Sequence, residues 1–182
     1  MKKNGPWTIK SSKTVYKNPW IEVNEDEVLQ PNGQPGIFGT VHMVPGISVL
    51  PIDEQMNVYL TKEFRYVIGK DSLEIVSGGI DVDEPPLDAA HRELKEELGI
   101  SATKITDLGV CNPFTSAIHS PAHLFLAQGL SFGESNQDGT EIIEMIKMPF
   151  DKAVELAMSG EIHHAPSCLA ILKAARLLQL KG

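Results

Sequence analysis

The stretch GGIDVDEPPLDAAHRELKEELGI, residues 78 to 100, carries the strongest structural signal in the sequence. Two adjacent prolines stand where the first turn of a helix accepts them, and Gly99 stands where helices commonly end. These signals predict a helix over residues 85–98. One narrow face of that helix carries Leu87, Ala90, Leu94 and Leu98. We expect this apolar face to pack on a sheet.

A flank of the same helix is acidic, because Glu93, Glu96 and Glu97 fall together on it. Glu93 and Glu97 are four residues apart, a like-charged pairing that costs about 0.2–0.5 kcal/mol in an isolated helix. Arg92 can reach Glu96 and Glu84, but neither pairing neutralises the flank. A divalent cation would neutralise it, and carboxylate oxygens suit magnesium. From these three glutamates alone, a solvated surface helix is the more common explanation.

Strand patterns lie on both sides of the helix. Before it they cover residues 14–29, 36–44, 46–52, 57–66 and 72–76. After it come strand patterns at 105–111, 123–130 and 141–148, then helical patterns at 149–159 and 166–180. This order predicts an α/β fold, in which a mixed sheet is covered by helices on both faces.

Composition limits the class of protein further. A chain of 182 residues with 42% hydrophobic content suits one catalytic domain, and a net charge of −8 argues against a nucleic-acid-coating surface. We find no apolar run of secretory or membrane-spanning length. Cys111 and Cys168 lack metal or redox spacing, so we expect a reducing cytoplasm. His119, His123, His163 and His164 are expected to be loop or surface residues.

The fixed positions of residues 78 to 100 form one pattern. It reads Gly78, five residues, Glu84, seven residues, then Arg-Glu-Leu, one residue, Glu-Glu, one residue and Gly-Ile. Seven such positions coincide by chance roughly once in 10⁸ windows, with each residue at about 7% or less. The pattern resembles the signature of the Nudix hydrolases.

The resemblance implies an α/β/α sandwich with a mixed sheet, on which the signature forms a loop, a helix and a loop. It implies Mg²⁺ as cofactor, with Mn²⁺ as a substitute. The metal ligands would be the Ser77 carbonyl, Glu93, Glu96 and Glu97, whereas Gly78, Glu84 and Arg92 would support the site.

The segment KEFRYVIGKDSLEIVSGGID, residues 62–81, resembles the ADP-ribose pyrophosphatase and nucleoside diphosphate sugar hydrolase branch. That resemblance implies hydrolysis of ADP-ribose, an ADP-hexose or GDP-mannose to a nucleoside monophosphate and a sugar phosphate. It also implies an amino-terminal β region, residues 1–45, that forms a homodimer, followed by a hydrolase domain, residues 46–182. The chain departs from the branch at residues 74–78 and in the loop at 115–122, so the sugar stays open.

Three residues are candidates for substrate contact. Arg65 is placed to bind a phosphate, although a surface arginine on a strand is the alternative. Trp20 lies where relatives stack an aromatic on the nucleobase, and a core or interface tryptophan explains it equally well. Glu74 either contacts substrate or its supporting residues, or points outward from a strand.

A general base is expected on a polar loop before the last strand. We assign it to Glu141, also as a metal ligand, with Glu134, Asp138 and Glu144 as alternatives. The catalytic residues would then be Glu96, Glu97 and Glu141. Water bound to a metal has a lowered pKa, so a mechanism without a separate base is also open.

Three other functions compete with this one. A dinucleoside polyphosphate or housecleaning pyrophosphatase would use the same helix on another nucleotide. A nucleotide sensor would bind without hydrolysis, although it would not need the full carboxylate set. A structural dimer with a solvated helix leaves the spacing of Gly78, Glu84 and Arg92 unexplained.

Overall fold

The computed structural model describes residues 1–137 and 142–179. Its strands and helices follow in chain order: β1 Lys2–Asn4, β2 Trp7–Lys17, β3 Ile21–Leu29, β4 Pro35–Met43, β5 Gly46–Pro51, β6 Asn57–Arg65, β7 Lys70–Glu74, β8 Val76–Gly79, α1 Pro86–Leu98, β9 Ile100–Cys111, β10 Ile118–His119, β11 Ala122–Phe132, β12 Glu144–Pro149, α2 Phe150–Ser159 and α3 Ala165–Gln179. No helix among the described residues is long and apolar enough to cross a membrane.

The chain divides into two compact units. The first comprises Met1–Val44 with Asn112–Pro121, and the second comprises Pro45–Cys111 with the described part of Ala122–Gly182. The first unit is a five-stranded sheet in the order β1-β2-β3-β4-β10. Its neighbours are antiparallel except for β4 and β10, which run parallel. Residues 112–121, placed by sequence within the second domain, thus group with the amino-terminal unit.

The prediction of one strand over residues 14–29 is wrong, because a turn separates β2 from β3. The side-chain Oδ1 of Asn18 accepts hydrogen bonds from the backbone N–H groups of Trp20 and Ile21, at 2.9 and 2.8 Å. Such a side-chain acceptor replaces a ladder partner and reverses the chain. The predicted strand at 72–76 also divides, since β7 pairs with β6 whereas β8 pairs with β5.

The second unit holds a four-stranded sheet, β8-β5-β11-β9, and a three-stranded sheet, β12-β6-β7. Adjacent residues of a strand face opposite sides of a sheet. Accordingly Leu50 of β5 joins the apolar cluster that contains α2 and α3, whereas Val49 joins the cluster that contains α1. Leu126 and Phe125 of β11 divide in the same way. The predicted α/β fold, with helices on both faces of a mixed sheet, is confirmed.

Helix α1 begins and ends as the sequence predicts. Gly99 terminates it in the left-handed conformation at φ 63°, and the Gly99 N–H bonds back to the last turn. A Cβ at Gly99 would lie 2.4 Å from the Gly133 carbonyl oxygen, so glycine is required for space as well as for φ. The predicted apolar face is correct except at Leu87, which is exposed, whereas Ala89 is buried.

Candidate active site

The loop that leads to α1 begins at β8, where Ser77 and Gly78 lie side by side. The Ser77 hydroxyl lies 2.9 Å from that of Ser48 on β5 and donates to the Ile75 carbonyl, also at 2.9 Å. At Gly78, a Cβ would stand 2.1 Å from the Glu93 Cδ and Oε1 atoms. Because only a glycine leaves that space, the Glu93 carboxylate packs directly against the backbone of β8.

Arg92 ties this loop to the helix through its guanidinium. Its Nε and Nη2 donate to the two carboxylate oxygens of Glu84, both at 2.9 Å, and Nη2 also donates to the Gly79 carbonyl at 2.9 Å. Nη1 donates to Glu93 at 2.7 Å and to Glu96 at 3.1 Å. One side chain therefore fixes the loop and orients two of the three glutamates of the acidic flank.

The charges in this cluster shift the pKa values of Glu84 and Arg92. The hydrogen bonds from Arg92 and from the Asp81 N–H lower the pKa of Glu84 to about 2. In turn Glu84 raises the pKa of the Arg92 guanidinium well above its usual range, and Glu93 and Glu96 add to that effect. Glu84 and Arg92 are thus both ionised throughout the neutral range.

Glu96 and Glu97 differ in exposure although they are adjacent. Glu97 is only 7% exposed, whereas the Glu96 side chain is 42% exposed. The loop after β11 closes on this end of α1. The Asn136 N–H donates to the Glu96 carbonyl at 2.9 Å, and the Gln137 amide donates to the Glu97 carbonyl at 3.0 Å. The backbone around the acidic flank is therefore held from two sides.

The oxygen-rich flank fits a hard divalent cation. Within the described ranges, no group of three acidic, histidine or cysteine side chains converges closely enough to hold a metal by itself. Glu93 and Glu96 share Arg92 instead. Magnesium usually takes only one or two protein carboxylates and completes its shell with waters and substrate phosphates. The pair Glu93 and Glu97, one helical turn apart, with Glu93 beside Gly78, could meet that requirement.

A second ionic cluster surrounds Arg65 at the end of β6. Arg65 Nε and Nη2 donate to the two oxygens of Glu74 at 3.1 and 2.8 Å, and Nη1 lies 2.7 Å from Glu63. Burial opposes the charge of Arg65, but Glu74, Glu63 and Glu97 outweigh burial and raise the pKa of the guanidinium. Glu97 is therefore close enough to act on Arg65, which links the two clusters.

Glu74 is 5% exposed, so the alternative that it simply points outward from its strand is wrong. Burial disfavours its charge, yet the hydrogen bonds from Arg65 and the proximity of His164 lower the pKa of Glu74 overall. His164 Nδ1 lies 3.5 Å from Glu74 and 2.8 Å from the buried Ser167 hydroxyl. His164, predicted to be a loop or surface residue, lies in the loop before α3 and is half-buried beside Glu74, and burial lowers the pKa of its imidazole.

Comparison with known proteins identifies the architecture. A model described as the NUDIX domain matches residues 42–167, and one described as the nucleoside diphosphate sugar hydrolase N-terminal domain matches residues 7–41. The chain belongs to the Nudix hydrolase family. It is accordingly an enzyme of the pyrophosphohydrolase type, in a family that generally uses divalent metal ions.

Individual relatives match along nearly the whole Nudix chain. It is 28% identical to the ADP-ribose pyrophosphatase of Bacillus subtilis over 169 residues, and this alignment covers 92% of this chain and 89% of that protein. It is 25% identical over 179 residues to the ADP compounds hydrolase of Escherichia coli, covering 96% and 95%. The crystal structure of an ADP compounds hydrolase superposes with a TM-score of 0.84 at 23% identity, covering 100% and 99%, and so shares the Nudix fold.

The remaining site predictions have mixed outcomes. Glu141, the predicted base, and its alternative Asp138 lie outside the described residues. Glu134 is exposed in the loop after β11, and Glu144 begins β12, where its carboxylate lies 3.4 Å from Lys62. Trp20 is 69% exposed in the turn after β2, so the alternative of a core tryptophan is wrong.

Glu84→Gln should make the stability of this Nudix hydrolase less dependent on pH. The folded-state pKa of Glu84 is about 2, below its ordinary value of 4.5. A lowered folded pKa adds stability above the unfolded pKa, and that stability is lost as the pH falls through the folded pKa. The wild type should therefore exceed the variant in free energy of unfolding at neutral pH, with the difference shrinking below about pH 4.5.

Urea unfolding at steps from neutral pH towards pH 2 measures this difference. Glu155→Gln on α2 is the control for removal of one exposed carboxylate. A wild-type advantage over Glu84→Gln that stays constant down to pH 2 would contradict the role of ionised Glu84.

Proposed function

We propose that this Nudix hydrolase cleaves the pyrophosphate bond of a nucleoside diphosphate sugar in a magnesium-dependent reaction. ADP-ribose and ADP-hexoses are the first candidates, with GDP-mannose as a further one. The products would be a nucleoside monophosphate and a sugar phosphate. The observation that carries the proposal is the Arg92 cluster, which holds Glu93 of the acidic helix against Gly78 of β8. The match of residues 7–41 to the amino-terminal domain of nucleoside diphosphate sugar hydrolases supports the substrate class.

The proposed metal ligands are Glu93 and Glu97, with Glu96 and the Ser77 carbonyl as additional ones. Bound magnesium, or manganese in its place, would neutralise the diphosphate and lower the pKa of the attacking water. The chain supplies the positioning. Arg92 holds Glu93 and Glu96 at the loop, and burial keeps Glu97 next to the apolar packing of α1. Gly78, Glu84 and Arg92 act as the support of the site.

Arg65 is the proposed phosphate contact. A guanidinium has five N–H donors in a rigid fork, so its pairing with Glu74 and Glu63 does not use all of them. Glu74 would then fix the direction of Arg65. For the nucleobase we propose the exposed indole of Trp20, in a homodimer formed through residues 1–45.

The proposed general base is Glu141, which would act together with Glu96 and Glu97. Gln137 lies four residues before it in sequence and is bonded to the Glu97 carbonyl. Gln137 is therefore fastened to the carboxyl end of α1.

The test is release of nucleoside monophosphate from ADP-ribose, ADP-glucose, GDP-mannose and dinucleoside polyphosphates, with magnesium and with a chelator. We expect magnesium-dependent turnover of the diphosphate sugars, highest with an ADP-sugar. Glu97→Gln protein gives the background from contaminating hydrolases. Turnover restricted to dinucleoside polyphosphates would replace this proposal with a housecleaning function. Tight nucleotide binding without turnover of any compound would replace it with a sensor.

A further inference from the structure

Two histidines of the amino-terminal unit, His42 and His119, face each other on neighbouring strands, and neither belongs to the acidic helix. Strand β10 pairs with β4 in parallel, and the register sets His119 directly opposite His42. The Val41 N–H also donates to the Ala117 carbonyl at 2.8 Å, which fixes this register. Opposed residues of neighbouring strands stand on the same face of a sheet. Both imidazoles are exposed, so a ligand can reach them from solvent.

The distance between the two rings matches chelation of one metal ion. The ring centroids lie 5.7 Å apart at an interplanar angle of 54°. That angle excludes face-to-face stacking. An imidazole nitrogen binds zinc at about 2.0–2.1 Å, which puts each ring centre about 3.2 Å from the metal. Two such rings at a bond angle of about 110–125° have centres about 5.2–5.7 Å apart. The separation of the two ring centres is therefore that of two imidazoles bound to one ion.

The surroundings suit a hydrated ion with two protein ligands. Both histidines line a cleft of about 450 Å³, together with the polar residues Asn112, Thr115 and Ser116. Hydroxyl and amide groups can hydrogen-bond the waters that complete the coordination. Glu22 is opposite His42 on β3, but its oxygens contact Lys17 at 2.6 Å and Asn24 at 3.0 Å. We assign Glu22 no ligand role.

We propose that His42 and His119 bind a transition-metal ion of the class that prefers imidazole, such as zinc. The site would be separate in chemistry from the carboxylate flank of α1, because imidazole nitrogen selects zinc, copper or nickel, and carboxylate oxygen selects magnesium. Bound metal would also cross-link β4 to β10 and so hold the segment 112–121 in the amino-terminal sheet.

Zinc titration of the full chain by calorimetry, in millimolar magnesium to occupy the carboxylates, tests the proposal. The proteins are the wild type, His42→Gln, His119→Gln and, as control, His91→Gln on α1, which removes another exposed histidine. Residues that merely orient a metal ligand change metal affinity by about 10- to 100-fold, so loss of a ligand should weaken zinc binding at least about tenfold. His91→Gln should bind zinc as the wild type does.

A second readout locates the ion. In protein with carbon-13-labelled histidine rings, zinc should shift the NMR signals of His42 and His119 together, and their assignment follows from the two variants. Absence of zinc binding by the wild type overturns the proposal. So does equal zinc affinity in either His42→Gln or His119→Gln. Circular dichroism of each variant separates loss of the site from loss of the fold.

Discussion

Glu97→Gln is expected to lower kcat/KM for nucleotide-sugar hydrolysis roughly a thousandfold, because the charge that a metal supplies to the transition state is worth several kcal/mol. Glu97 is the least exposed acidic residue of the flank, at 7%. Glutamine keeps the size of the side chain and one oxygen while it removes the charge. The variant should therefore fold, and its defect should appear in magnesium affinity and in turnover.

Glu96→Gln is the variant with which Glu97→Gln is compared. The Glu96 side chain is 42% exposed and is paired with Arg92, so we expect its loss to cost about 10- to 100-fold, less than the loss of Glu97. Steady-state kinetics over a range of magnesium concentrations, with thermal unfolding as the fold control, compares the two variants. Glu155→Gln, on an exposed face of α2, should match the wild type. Equal losses for Glu96→Gln and Glu97→Gln would show that burial does not distinguish their roles.

The parts of the fold that the sequence predicts depend on local signals. Helix α1 is bounded by prolines and by Gly99, and its boundaries agree with the structure within one residue. The pairing of Glu84 with Arg92 agrees with what the Nudix resemblance implies, and the two residues lie close in the chain, on one loop and helix. Local geometry of this kind leaves few alternatives, so a short sequence pattern determines it.

The parts that the sequence misses depend on contacts between distant segments. Ser167 of α3 accepts a hydrogen bond from the Ile75 N–H, 92 residues away, and His164, one residue before α3, approaches Glu74. A histidine beside another histidine carries no periodicity that would indicate burial. The opposition of His42 and His119 depends on the pairing of a two-residue strand, which is too short to give a pattern.

Asn18 is an exception, because the sequence contains a local turn signal at this residue that the strand prediction overlooked. An Asn followed by Pro commonly begins a turn, and the Asn18 side chain caps the turn between β2 and β3. The apolar alternation on either side continued across that dipeptide and suggested one long strand. Here turn chemistry outweighed hydrophobic periodicity.

Gly78→Ala should lower both magnesium affinity and kcat/KM roughly a hundredfold, because a displacement of about 1 Å at a catalytic group can cost that much. The added Cβ would stand 2.1 Å from the Glu93 Cδ and Oε1 atoms, well inside van der Waals contact. The group in the way is the end of a flexible side chain, so Glu93 can turn aside without a shift of β8. The free energy of unfolding should change far less than the activity does.

A double-mutant cycle with Glu93→Gln tests whether Gly78 acts through Glu93. In the Glu93→Gln background, Gly78→Ala should cost little further activity, since the carboxylate that it displaces no longer carries charge. Gly39→Ala in β4 is the matched control, because a Cβ there meets no atom within 4 Å. Full additivity in the cycle, or unfolding of Gly78→Ala at the temperature of the assay, would contradict this account. Strong coupling would show that glycine is needed at position 78 to leave space for the Glu93 carboxylate, and not to make the loop flexible.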